Sequence, residues 1–286
     1  AAAASPAAAA SPAAAASPAT QLRAPSADAT KEQESDLLEK YPKGENMCDE
    51  QQNQVRLVSL GCYCGPKLSF QKMGRGAETL PFDWIRTKLD GVLGLIRSDF
   101  SFFYDFDSHV PVPGSGGMEA FRGPLHSFWH DDPREPSMRE RYGRRIARFR
   151  EIDARSGIVL FVRVASHTGE LMRAPELLSE LVTRFGAGVR LLCVLNFQRS
   201  AVGPALVSGL DRLMVHLLPS EAHMRSSKHF GVPYVEAIHV ALDWALGRPT
   251  SARVVPSLAA LSADVLQDDW GKSGLGGLQA FEGGGA

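Results

Sequence analysis

The sequence predicts an α/β fold: a single globular domain with a mostly parallel or mixed sheet flanked by helices, set between disordered N- and C-terminal tails. Three observations lead there. Apolar runs of strand length alternate with amphipathic helical patterns from 158 to 246, and strands separated by helices pair in parallel. Of the 286 residues, 44% are hydrophobic, enough to bury a full core. The ends cannot pack: residues 1–20 repeat an Ala-Ser-Pro unit whose prolines interrupt any alanine helix, and the tail from Gly271 is glycine-rich. The expected organisation is a low-complexity and acidic tail over 1–54, a globular domain over 55–249 and a mostly irregular tail over 250–286.

Element by element, Val55 to Leu60 reads as a strand. Pro66 to Met73 reads as a short helix, with the fixed proline φ suited to its first position and Gly74 to its C-terminal cap. A second helix is expected from Thr87, where Thr87 and Asp90 form a capping-box-like pair ahead of Leu89, Val92, Leu93 and Ile96. Ser101 to Gly123 reads as irregular, and the aromatic run His126 to His130 as a short strand ending in a turn. Ser137 and Glu140 form a second capping box before Met138, Tyr142, Ile146, Phe149 and Ile152, which recur at helical spacing. The alternation then runs strand Ile158 to Val164, helix Pro175 to Phe185, strand Leu191 to Asn196, helix Ala201 to Leu210, strand Leu213 to Leu218, and a last helix Val232 to Leu246.

Charge and cysteine usage narrow the function classes. The first 50 residues carry a net charge of −4 and the other 236 carry +3, too mild a balance for a nucleic-acid partner. No apolar run approaches the roughly 18 residues of a membrane span. Four cysteines, at 48, 62, 64 and 193, do not make the dense pattern of a secreted disulfide scaffold, so a reducing, cytoplasmic setting is expected. No cofactor motif is present. His126 and His130, four apart beside Asp131 and Asp132, share a face, yet no metal signature such as HExxH accompanies them, so no metal is expected.

The chemistry concentrates at LVSLGCYCGP, residues 57–66. Ligands of open parallel sheets bind outside the carboxyl ends of the strands. Cys64 falls there, just before a helix whose unpaired N–H groups would stabilise a thiolate and lower its pKa. Cys62, like Cys193 in LLCVLN, reads as a small apolar core residue. The bland alternative for Cys64 is a buried thiol in a strand-to-helix turn.

Ser59-Leu60-Gly61 with Cys64, then Pro81 to Trp84, then His130-Asp131, Tyr142 to Phe149 and Leu160 to Arg163 occur in an order that resembles the DUF1796 family, described as papain-like cysteine peptidases. The resemblance covers about Val58 to Val164. It implies a thiol-dependent hydrolase with Cys64 as nucleophile and His130 as base, followed by Asp131, acting on a peptide or other acyl substrate. Neighbouring side chains on a strand diverge, so Asp83 or Asn196 could orient the imidazole instead of Asp131. The chain departs from the papain-like pattern in two respects. No glutamine precedes the cysteine in VRLVSLGCY, and the periodicity from Ile158 to Leu218 favours parallel strands where papain-like sheets are largely antiparallel.

Other side chains carry rival signals. Asp83 and Trp84 of PFDW, Arg163 and Asn196 are candidate substrate contacts. Arg163, in a strand of Val, Leu and Phe, must be paired with Asp83 or another acid. His167 and His223 follow strands and are reserve bases. The helix from Ser137 presents arginines opposite its apolar stripe, and Arg141, Arg144, Arg145 and Arg148 could hold an anionic ligand. The alternative function is accordingly a catalytically inactive binding module that holds an anionic partner through this helix.

Overall fold

The computed structural model describes residues 45–112, 119–165, 167–219, 234–261 and 263. The expectations for the Ala-Ser-Pro segment, for the tail from Gly271 and for His223 lie outside them.

Two sheets form. The larger contains β1 (Arg56–Ser59), β6 (Val159–Ala165), β7 (Val189–Gln198), β9 (Leu213–Pro219), β8 (Gly203–Val207) and β10 (Arg253–Val255), in that spatial order. β1, β6, β7 and β9 are mutually parallel, as the alternation from 158 to 218 requires. The smaller sheet is antiparallel, in the order β2 (Ile85–Thr87), β5 (His126–Phe128), β4 (Glu119–Arg122) and β3 (Ser108–Pro111). The strands at 159–165, 189–198 and 213–219 thus bear out the parallel reading, and the antiparallel pairing lies in the smaller sheet and at β8.

Alternate residues of the large sheet bury on opposite faces. On one face Leu160, Val162, Leu192, Val194 and Met214 pack with Leu68 and Phe70 of α2 (Gly65–Lys72) and with Ile238, Ala241 and Leu242 of α7 (Val235–Ala245). On the other, Phe161, Leu191 and Val215 pack with α3 (Leu89–Arg97), α4 (Pro136–Arg150) and α6 (Ala174–Phe185). Two short helices complete the set, α1 (Glu50–Gln54) and α5 (Gly169–Met172).

Several expectations need correction. The helix expected over 201–210 is strand β8, antiparallel to β9. Gly203 and Gly209, both at positive φ, leave too few residues between turns for a stable helix but enough for a strand. The segment 101–123 contains β3 and β4. Neither capping box forms. Thr87 ends β2 and its hydroxyl donates to the Leu125 carbonyl, while Leu89 N–H is capped by Glu170 Oε1 at 2.9 Å. In α4 Pro136 already fills the first turn, with Glu135 at the N-cap. Structure also continues past both expected domain limits: α1, closed by a capping box between Asp49 and Gln52, precedes residue 55, and β10 pairs with β8 beyond residue 249.

Candidate functional site at the β1–α2 turn

β1 leads into a turn that the neighbouring strands hold on both sides. Leu60 N–H donates to Val162 O at 2.8 Å, Val164 N–H to Gly61 O at 3.3 Å, and Thr87 N–H to Cys62 O at 3.2 Å. Gly61 sits at φ +70, and a side chain there would meet Phe82 O at 2.9 Å, so glycine is required. Cys62 takes φ +82, a conformation that costs a non-glycine residue on the order of 1–3 kcal/mol. Cys64 is the N-cap residue of α2. The Tyr63 ring folds back over Gly65, where an added Cβ would lie 2.4 Å from it.

Cys64 is 8% exposed, in a cluster with Cys62, Tyr63, Trp84 and Tyr234. Burial pushes its thiol up to about 11, against the partial opposition of the Arg86 charge. This overturns the expected depression. A shift from 9.0 to about 11 corresponds to roughly 3 kcal/mol, whereas a helix end offers about 0.3–1 kcal/mol.

His130 lies just past β5, half-buried, its ring perpendicular to that of Trp84 with centroids 5.9 Å apart. Burial lowers its pKa, with the Asp131 charge opposing and Arg86 assisting. Thiol and imidazole are thus both neutral for one reason, exclusion from water. No hydrogen bond joins them among the described residues.

The candidate orienting groups are otherwise engaged. Asp131 accepts from Tyr142 Oη at 2.9 Å and from Arg141, and acts on His130 through its charge alone. Asn196 Nδ2 donates to Tyr234 Oη at 2.9 Å, which shares a 2.8 Å hydrogen bond with Tyr63 Oη. Asp83 pairs with buried Lys67 at 3.3 Å and accepts from Leu80 N–H at 2.8 Å. Asn196 therefore braces the residue between the two cysteines, and Asp83 braces the segment before β2.

Arg163 is fully buried and finds its acid in Glu170, at 2.9 Å, rather than Asp83. Its remaining donors reach Leu60 O and Thr87 O, so one guanidinium ties the end of β1 to the end of β2. It is a support of the turn from below.

The arginines of α4 bind within the chain. Arg141 holds Asp131, Arg144 holds Glu140, Arg148 holds Thr79 O, and Arg145 is buried with its guanidinium 4.4 Å from the Tyr142 ring centre. His126 is in the core, stacked on Phe103 with Nε2 at 2.8 Å from Phe103 O. No group of three metal-ligating side chains occurs among the described residues. His167 follows β6, half-buried, at the same carboxyl edge of the sheet as the β1–α2 turn.

Arg86 is the residue that sequence reasoning missed. It lies on β2 opposite Ser127 of β5, its guanidinium 3.2 Å from the Trp129 ring centre. Its charge bears on both Cys64 and His130. The signal in sequence was weak: Arg86 lies between Ile85 and Thr87 in a three-residue strand, too short for its alternation to stand out. A second missed residue is Glu170, whose place beside Arg163 depends on tertiary structure.

Residues 55–198 match the family described as "Putative papain-like cysteine peptidase (DUF1796)". The chain belongs to that family. The matched region holds β1 through β7, and with them Cys64, Arg86, His130, Glu170 and Asn196, while β8, β9, α7 and β10 lie outside it. The chain is also similar to the uncharacterised protein R408 of Acanthamoeba polyphaga mimivirus, with 34% identity over 55 residues, 19% of this chain and 25% of that protein. No solved structure matches the chain. No helix among the described residues is long and apolar enough to cross a membrane, and no disulfide joins any two of the four cysteines.

Proposed function

We propose that this DUF1796 chain is a thiol-dependent hydrolase of amide, ester or related acyl substrates, with Cys64 as nucleophile and His130 as general base. The observation that carries the reading is Arg86: one charge, fixed on Trp129, bears on both the Cys64 thiol and the His130 ring.

Because thiol and imidazole are both neutral at rest, the reaction starts by general-base catalysis rather than from a preformed ion pair. As Sγ bonds to the substrate carbonyl carbon, His130 takes the thiol proton and the carbonyl π pair moves onto oxygen. Collapse expels the amine or alcohol, which receives that proton from the imidazolium. Water, deprotonated by His130, then attacks the thioester and the thiol leaves with its proton restored. The developing oxyanion needs donors, and the buried Trp84 indole N–H, which has no acceptor among the described residues, is one at hand. Arg86 favours the thiolate as it forms and adds to burial in keeping the imidazole free of a proton beforehand. With Cys64 only 8% exposed, substrate entry displaces part of its cover.

The test is hydrolysis of a panel of peptide and aryl-ester substrates. Cys64→Ser and His130→Ala should each lose about 100-fold or more of any activity found, and Cys62→Ser and Cys193→Ser should keep it. Activity that survives Cys64→Ser removes the assignment.

A further inference from the structure

A second site lies at the opposite end of the large sheet. α6, the first residue positions of β7 and the turn between β8 and β9 enclose an open cleft of about 660 Å³. Leu178, Val182 and Leu210 give it an apolar wall, and Arg190 and Arg212 both line it. This is the amino edge of the parallel strands, whereas Cys64 follows the carboxyl end of β1.

Neither arginine meets a carboxylate among the described residues, a condition shared with Arg75, Arg139 and Arg253, which rest on backbone carbonyls. Arg97, Arg134, Arg150, Arg163, Arg173 and Arg184 each meet a carboxylate. Glu176 and Glu180, the acids of α6, are both taken by Arg97. Arg190 has only the carbonyls of Ala187 and Val189 as acceptors, and Arg212 has no side-chain partner among the described residues. Asp211 lines the same cleft but is exposed and pairs with neither. Burial and the charge of Arg212 together lower the pKa of Arg190. Two like charges facing one cavity repel, and an anion between them relieves that cost.

We propose that this cleft binds a small phosphorylated molecule, its phosphate between Arg190 and Arg212 and its organic part on Leu178, Val182 and Leu210. Guanidinium forks match phosphate oxygens in pairs, and the volume is that of a small-molecule site. Ser179, at the rim, adds a hydroxyl donor. The site is independent of the Cys64 chemistry.

The test is calorimetric titration of the full chain with phenyl phosphate, beside phenylacetate and sodium chloride at matched ionic strength. Phenyl phosphate should bind saturably and about tenfold or more tighter than phenylacetate, with affinity rising from pH 5 to 7 as the phosphate reaches its dianion near pH 6. Arg212→Ala and Arg190→Lys should each weaken it about tenfold. Arg212→Ala removes an exposed, unpaired side chain, so its unfolding temperature without ligand should match that of the unaltered chain, which keeps the comparison valid. Absence of saturable binding, equal affinity in the Arg212→Ala chain, or tighter binding of phenylacetate overturns the proposal.

Discussion

Glu170→Gln is the sharpest probe of how the Cys64 turn is held. Glu170 is 4% exposed and Arg163 fully buried. The carboxylate receives Arg163 Nε at 3.2 Å and Nη2 at 2.9 Å on Oε2, and Leu89 N–H at 2.9 Å on Oε1. A glutamine keeps an oxygen for Leu89 but leaves the guanidinium without a counter-charge. Breaking one partner of a buried pair costs about 3–5 kcal/mol. For a domain of this size that lowers the unfolding temperature by roughly 6–20 °C. Urea unfolding followed by circular dichroism measures it, and the slope against denaturant should not change. Arg163→Met alone strands the Glu170 charge and leaves the carbonyls of Leu60 and Thr87 without their donor. Arg163→Met combined with Glu170→Gln should therefore be less destabilised than the sum of the singles, by about 1–3 kcal/mol. A cost under about 1 kcal/mol for Glu170→Gln, or strict additivity, would refute the view that this pair bears on the turn as a buried, mutually neutralising unit.

Three further outcomes follow from the same structure. Alkylation of Cys64 by iodoacetamide, mapped by peptide mass spectrometry, should be slow at pH 7 and rise about tenfold per pH unit toward a thiol pushed up to about 11; Arg86→Met should slow it further, and a plateau below pH 8 would contradict the burial argument. His126 and His216 are buried with pKa values lowered to about 4, so the unfolded chain binds more protons between pH 6.5 and 4. Stability should therefore fall as pH drops through that window, by on the order of 3 kcal/mol per histidine, and His126→Gln should flatten the slope measured by urea titration. Tyr234→Phe leaves Asn196 Nδ2 and Tyr63 Oη without their shared partner and should cost about 1–3 kcal/mol in the same assay; no loss would mean that water replaces the hydroxyl.

The sequence revealed what local pattern controls. The parallel strands at 159–165, 189–198 and 213–219 were legible because both faces are covered and their residues are apolar throughout. The Ala201 to Leu210 segment was not, because strand pairing with β9 outweighs a short helical spacing between two glycines. The capping boxes failed for a related reason: a carboxylate seven residues past Arg163 caps α3 better than its own Thr87, and nothing local announces it. At the site, Cys64 and His130 came from motif order, and the place of Cys64 at the head of α2 came from Pro66. The direction of the thiol pKa did not, since helix position is visible in sequence and the depth of burial under Trp84, Tyr63 and Tyr234 is not. Asp83 was singled out from the PFDW motif and Asn196 as the polar end of an expected strand. Their partners, Lys67 and Tyr234, decide that they brace the turn.

The central claim is that Cys64 attacks acyl carbons with His130 as its base. Intact and peptide mass spectrometry after brief exposure to 4-nitrophenyl acetate tests it most directly. A single acetyl group on Cys64, formed with a burst of nitrophenolate and slowed about 100-fold or more in His130→Ala, is the expected result. Acetylation of Cys62 or Cys193 in its place, or equal rates with and without the His130 imidazole, would contradict it.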